Sequence, residues 1–231
     1  MRNILVVLVA LAVTACASSR GFDRGNLRSH ITDQKLVTEE DIKKALELKP
    51  QLPGPFKLAI YFAPPQSGVR YRSSWGWLGE DKDKLLKIGP ELKSKNIVSD
   101  VFVIGDAILE GTDKKAIRLA AARAGADAVL IINGVSDLDR YNNSLGFTYL
   151  LLITPFFVPG TEADGLFMVN ASMWDVRNEY LYLSSEAEGS AKETRPAFFI
   201  EEPRIIKAAK GDALSALTKE LSNRLGKMAA K

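Results

Sequence analysis

Residues 126–133, Ala-Asp-Ala-Val-Leu-Ile-Ile-Asn, are apolar at nearly every position. A strand with one wet face alternates apolar and polar side chains. A short run without alternation is usually a strand covered on both faces, as in parallel sheets. A helix signal stands just ahead of it: Thr112-Asp113, then Ala116, Ile117, Leu119, Ala120 and Arg123, with Gly125 suited to a left-handed stop. Val98–Ile104 reads as the strand before that helix. Strand, helix and strand in this order predict a parallel pair joined by a right-handed crossover. The expected fold class is α/β, in its α+β mixed-sheet form: one domain, a mixed sheet flanked by helices, and a long C-terminal helix. A chain of 231 residues, 46% apolar and 26% charged, suits one sizeable core. The single cysteine, Cys16, leaves no internal disulfide, so packing must supply the stability.

Other elements follow from local signals. Thr38-Glu39-Glu40-Asp41 opens a helix with Thr38 as N-cap, and Pro50, Pro53 and Pro55 follow its end. Phe56–Phe62 reads as a core strand. Val69–Leu78 is aromatic-rich and reads as a loop or edge strand. Asp81–Lys95 reads as an amphipathic helix broken at Gly89-Pro90. Beyond Gly134 the pattern changes to antiparallel strands: Val135–Tyr141, a turn at Asn142-Asn143-Ser144, and a return over Phe147–Val158. Leu166–Val176 and Tyr180–Glu188 flank a tight turn at Arg177-Asn178. From about Pro203 to Gly226, Ile206, Ala209, Ala213, Leu214, Leu217, Leu221 and Leu225 form one helical stripe.

The N-terminus carries a different signal. Met1-Arg2-Asn3 is basic and Ile4–Val13 is an unbroken apolar run. A membrane-spanning helix needs about 20 apolar residues, so this run is too short to span. A basic start, a short apolar stretch and small residues before a cut form an export signal. Val13-Thr14-Ala15-Cys16 closes it and resembles the lipobox of bacterial lipoproteins. The resemblance implies removal of residues 1–15 and acylation of Cys16; Ala17, in place of Asp, implies the outer membrane, facing the periplasm. The alternative is an ordinary secretory signal cut near Ala15. Several acyl chains anchor stably where one does not. Residues 16–36 are expected as a lipidated cysteine and polar tether, and 37–231 as the folded domain. If flexible, about 20 tether residues reach roughly 25 Å.

Catalytic chemistry has few candidates. His30 is the only histidine and falls in the expected tether, so neither a Ser-His-Asp nor a Cys-His arrangement is available to the domain. No zinc motif, phosphate loop or other cofactor signature is present, and none is expected. Asp137 and Asp139 lie on one face of a strand, roughly 6–7 Å apart by strand rise. They read as a solvated face, or alternatively as a cation or acid–base site. Arg70-Tyr71-Arg72 and Trp75-Gly76-Trp77 mix basic and aromatic residues. Their structural reading is aromatic cover for a core edge. The functional reading makes Tyr71, Arg72, Trp75 and Trp77 a surface for a partner or cell-wall sugar. A net charge of +3 gives no argument for nucleic acid. Phe147–Val158, the most apolar stretch after the leader, reads as a strand covered on both faces. An exposed apolar edge for self-association or membrane contact is the alternative.

Ala126–Ile131, Ser144–Leu152, Phe157-Val158-Pro159-Gly160-Thr161 and Ala171–Val176 occur in an order that resembles the rhombotarget lipoproteins of bacteria. More distantly it is similar to the periplasmic α/β domain of curli-export lipoproteins and the N-terminal domain of the Tol–Pal propeller protein. The resemblance covers about 57–188 and the final helix. It implies an envelope lipoprotein with no established reaction and transfers no catalytic residues. Curli-export relatives imply a ring and pore built from cleanly alternating hairpins, a pattern that Leu150–Leu152 breaks. The expected role is membrane attachment through Cys16 and binding or assembly of an envelope partner. A sugar-binding module or enzyme and an accessory transport subunit are the alternatives.

Overall fold

The computed structural model describes residues 18–32, 37–65 and 75–228. The leader, Cys16, Tyr71 and Arg72 lie outside the described residues. Five strands form one mixed sheet: β1 (Phe56–Phe62), β2 (Val98–Ile104), β3 (Ala128–Asn142), β4 (Thr161–Asp175) and β5 (Leu181–Arg195), in the spatial order β2-β1-β3-β4-β5. The α/β mixed-sheet class is as expected. β1 is parallel to both β2 and β3, and β3–β4–β5 is an antiparallel meander. The strands at 98–104 and 126–133 run parallel, but they do not pair with each other. β1 lies between them because it is buried at every position except Lys57, and a strand apolar on both faces belongs inside the sheet.

Helices cover both faces. The described helices are α1 (Arg24–Ile31), α2 (Glu39–Glu47), which is exposed along its length, α3 (Gly79–Leu86), α4 (Ile88–Ser94), α5 (Lys114–Arg123) and α6 (Glu202–Met228). On one face α3, α4 and α6 pack Leu85, Leu92, Leu214, Leu217 and Leu221 against Leu58, Ile60, Leu130, Ile132 and Phe167. On the other, α5 packs Ile117, Ala120 and Ala121 against Ala59, Tyr61, Val129 and Ile131. Further along that second face, α1 packs Leu27 and Ile31 on Val135, Leu166 and Met168. Thr38 is the N-cap expected at α2 and forms a capping box with Asp41, and Asp113 caps α5. The break between α3 and α4 falls at Lys87 rather than at Gly89-Pro90. Pro90 is thereby in the first turn of α4, where its missing N–H would have had no intrahelical partner.

Three expectations are corrected. Gly134 does not end a strand; β3 runs through it for 15 residues. A Cβ there would lie 2.7 Å from the Phe167 ring and 3.0 Å from Trp75, so the glycine makes a seat for aromatics. Phe147–Val158 is not a strand buried on both faces. It forms 3-10 turns at Ser144–Leu150 and Thr154–Phe156 with its apolar side chains in solvent. The described part of the expected tether is folded onto the sheet as α1 and the residues ahead of it.

β3, β4 and β5 extend beyond the ends of β1 and β2. β1 reaches only to the level of Ile132, whereas β3 and β4 stay paired to Asn142. The 15-residue strands span about 45 Å at a strand rise of about 3.3 Å. The three-stranded arm carries α1 on one face and the start of α6 on the other. Its tip is the segment 143–160.

Candidate functional site

Strand alternation puts Asp137 and Asp139 on the same face, as expected, but this face is not solvated. The two residues are 6% and 4% exposed. Asp139 Oδ2 accepts hydrogen bonds from Ser19 Oγ (2.6 Å), the Arg20 amide (2.8 Å) and the Gly21 amide (3.1 Å). Asp137 Oδ1 accepts from Arg20 Nη2 at 2.6 Å, and the Leu138 carbonyl from the same nitrogen at 3.0 Å. Gly21, at φ +68°, turns the chain so that successive amides face one carboxylate. The pair is therefore an internal clamp on residues 19–21, with its oxygens already engaged by a guanidinium and by amides.

α1 continues the clamp. Arg24 and Arg28 reach across the arm to Glu188 and Glu186 on β5, each at 2.8 Å. The hydrogen bond from Arg24 holds the Glu188 carboxyl below the usual carboxylate range. The sequence carries the signal for this docking: Leu27 and Ile31 stand four apart, as do Arg24 and Arg28. The polar residues around them mask it.

Trp75 and Trp77 sit at the edge of the first core, half-buried, in the structural role expected for them. Edge-to-face contacts join Trp75 to Phe167 (4.7 Å) and Trp77 (5.0 Å), and Trp77 to Phe62 (5.2 Å). Trp77 Nε1 donates to the Ala63 carbonyl at 2.7 Å. Beneath this cluster Lys210 of α6 forms a buried ion pair with Asp81 of α3 at 2.5 Å and donates to the Gly76 carbonyl at 2.6 Å.

A groove of about 500 Å³ opens between α1 and α5. Its floor is Ile131, Asn133, Asn170, Ser172 and Trp174, and His30, Thr32, Asp113 and Lys114 line its sides. Asn133 and Asn170 face each other in register on β3 and β4, and Asn133 Nδ2 donates to Asn170 Oδ1 at 3.2 Å. Asn170 Nδ2 donates to the Ile31 carbonyl at 2.9 Å, which ties α1 to the floor. The Lys114 ammonium lies 3.7 Å from the centre of the Trp174 ring. His30, expected as a solvated tether residue, is half-buried here, with Nδ1 2.8 Å from the Asn26 carbonyl oxygen.

The groove's polar groups are largely committed to the fold. Ser29 Oγ donates to the Asn26 carbonyl, Thr32 Oγ1 to the Arg28 carbonyl, and Ser172 Oγ accepts from Trp174 Nε1. Asp113 caps α5. Amides, an ammonium and an indole suit recognition of a polar or planar group. Among the described residues no group of three or more His, Cys, Asp or Glu side chains is placed to hold a metal ion. Asn133, Asn170, Lys114 and Trp174 escaped the sequence reading. Their only signal is two asparagines interrupting otherwise apolar strands.

Among the described residues no helix is long and apolar enough to cross a membrane. No family model matches the chain, and no curated protein matches it either. Solved structures do overlap it. A minor lipoprotein from Acinetobacter baumannii aligns over 77% of this chain and 95% of its own, at 8% identity and a TM-score of 0.38. The lipoprotein GNA1162 from Neisseria meningitidis aligns over 72% and 99%, at 16% identity and a TM-score of 0.31. The C-terminal domain of LpoB from Salmonella enterica aligns over 64% and 90%, at 9% identity and a TM-score of 0.32. Overlaps of this size carry no conclusion about function.

Proposed function

We propose that this chain is a lipid-anchored protein of the bacterial cell envelope, attached through Cys16 and facing the periplasm. We assign it a non-enzymatic role: binding or assembling another envelope component. The observation that carries the anchoring is Val13-Thr14-Ala15-Cys16 at the end of a short apolar run. The resemblance to rhombotarget lipoproteins at Ala126–Ile131 and Ala171–Val176 points to the same class. The groove between α1 and α5 supports recognition over turnover, because the Ser29, Thr32 and Ser172 hydroxyls are engaged within the fold.

The anchoring is tested by the mass of the mature protein together with its partition between membrane and soluble fractions. Acyl chains on a protein that begins at Cys16 are expected, and Cys16→Ala should move the chain out of the membrane fraction. A mature protein without acyl groups in the soluble fraction would remove the proposal. Recognition is tested by photocrosslinking from position 114 in intact cells. A product of defined mass that is lost in Asn170→Leu is expected. No product, from a strictly monomeric protein, counts against a binding role. Retention on isolated peptidoglycan that falls in Trp174→Ala would favour the sugar-binding alternative.

A further inference from the structure

The tip of the arm, residues 143–160, is built inside out. Its polar groups turn inward and hold the base. Asn143 Oδ1 accepts from the Leu145 amide and Asn143 Nδ2 donates to the Pro159 carbonyl. Tyr149 Oη donates to the Val158 carbonyl and accepts from the Gly160 amide. Thr154 Oγ1 donates to the Thr148 carbonyl at 2.5 Å. The apolar side chains point out. Leu152 is 86% and Phe157 78% exposed, and Leu151 and Ile153 are exposed beside them. Phe198, from the turn before α6, stacks on Phe156 at 4.3 Å and extends the same surface. A patch of this kind on a fixed scaffold marks a contact surface.

The path of the N-terminal segment indicates what covers it. The Ile31 carbonyl is bonded at Asn170, opposite Asn133; Arg24 is paired with Glu188, level with Val135; residues 19–21 are bonded to Asp139. Read from 31 back to 19, the chain therefore travels toward the tip. Asp139 is three residues from Asn142, about 10 Å along the strand. Cys16 precedes Ser18 by two residues, about 7 Å of chain. An acyl chain on Cys16 would enter the bilayer within roughly 20 Å of the base of the tip.

We infer that the 143–160 tip, with Phe198, is a second membrane contact that seats in the bilayer interface beside the lipid on Cys16. This rests on the lipid-anchor reading above. Among the described residues the cations at this end are paired: Arg20 with Asp137, Arg140 with Glu202, Lys192 with Glu162, and Arg195 and Arg204 with Glu193. The contact is therefore apolar, does not require anionic lipid and changes little with salt.

The full mature protein, purified from membranes and returned to phosphatidylcholine vesicles, provides the test. An indole is introduced at the tip by Leu152→Trp. The control is Leu46→Trp on α2, an exposed site whose neighbour Lys49 bonds Asn178 in the β4–β5 turn at the far end of the sheet. Interfacial insertion of about 5–10 Å should let brominated acyl chains reduce the added emission at 152 roughly twofold, and that at 46 not at all. Equal emission in brominated and ordinary vesicles at position 152, from protein whose mass shows acylation, overturns the contact and leaves the anchor standing. If that outcome is joined by crosslinked pairs lost in Leu152→Ser, the patch is a self-association surface instead. Quenching at 152 in protein whose mass shows no acyl group keeps the contact and removes the lipoprotein reading.

Discussion

Asp139 accepts three hydrogen bonds from residues that precede it by about 120 positions in the chain. Buried and multiply bonded, it is worth more to the fold than an exposed carboxylate. Asp139→Asn replaces one acceptor oxygen with a donor facing three other donors. We expect a loss of about 2 kcal/mol in urea unfolding and faster proteolysis within residues 18–32. Tyr182 shows the same economy at the other end of the sheet. It donates to the buried Asp175 at 2.6 Å and accepts from the Gln51 amide at 2.8 Å and the Leu52 amide at 3.1 Å. Burial first, and the bond to Asp175 next, raise its phenol from 10.0 to about 12. The folded value lies above the unfolded one, so this contribution is complete below pH 10 and disappears as the pH climbs toward 12. Tyr182→Phe should flatten the fall of stability over that interval, and should remove one late phenolate transition, near pH 12, from the titration followed by ultraviolet absorbance.

At the scale of elements, α6 approaches the sheet more closely than side chains normally permit. A Cβ at Gly189 would collide with the Ala209 carbonyl and the Ala213 amide, and one at Gly165 would lie 2.7 Å from the Ile205 side chain. These glycines seat the helix, and Gly134 seats the aromatic cluster on the same face. Contact at this distance also buries Lys210, which Asp81, the Gly76 carbonyl and the Trp75 and Trp77 rings, centred 6.0 Å from the ammonium, offset. Lys210→Met leaves Asp81 as an unpaired buried charge and should cost about 3–5 kcal/mol in urea denaturation. Adding Asp81→Asn should recover part of that loss, because the remaining amide carries no charge. A double-variant cost equal to the sum of the Lys210→Met and Asp81→Asn costs would show that the two groups are not coupled.

For the molecule as a whole, stability comes from packing on two faces of one sheet, and Cys16 is the only cysteine. Reductant should therefore leave the unfolding midpoint of the mature monomer unchanged; a shift would reveal a disulfide between chains. The arm gives the molecule its direction, with the β4–β5 turn at one end and the 143–160 tip at the other. The docked N-terminal segment runs toward the tip. A polar tether of about 20 free residues would allow any orientation. A clamp at Asp137 and Asp139 shortens the free chain and favours one orientation.

Much of the fold was legible in the chain. The bounds of β1 and β2, the caps of α2 and α5, the β4–β5 turn and the stripe of α6 all follow from local periodicity and punctuation. These signals act between neighbours, so a sequence carries them whole. The tertiary structure decided the rest. It put β1 between two strands closer to each other in sequence, carried β3 through Gly134, docked a polar-looking segment on the sheet and turned the most apolar stretch outward. The first three depend on partners far along the chain, such as a phenyl ring waiting over a glycine or a carboxylate waiting for an arginine; the fourth depends on Tyr149, which holds the tip by the Val158 carbonyl and the Gly160 amide. Hydropathy reports how much a side chain gains by leaving water, but not which surface receives it.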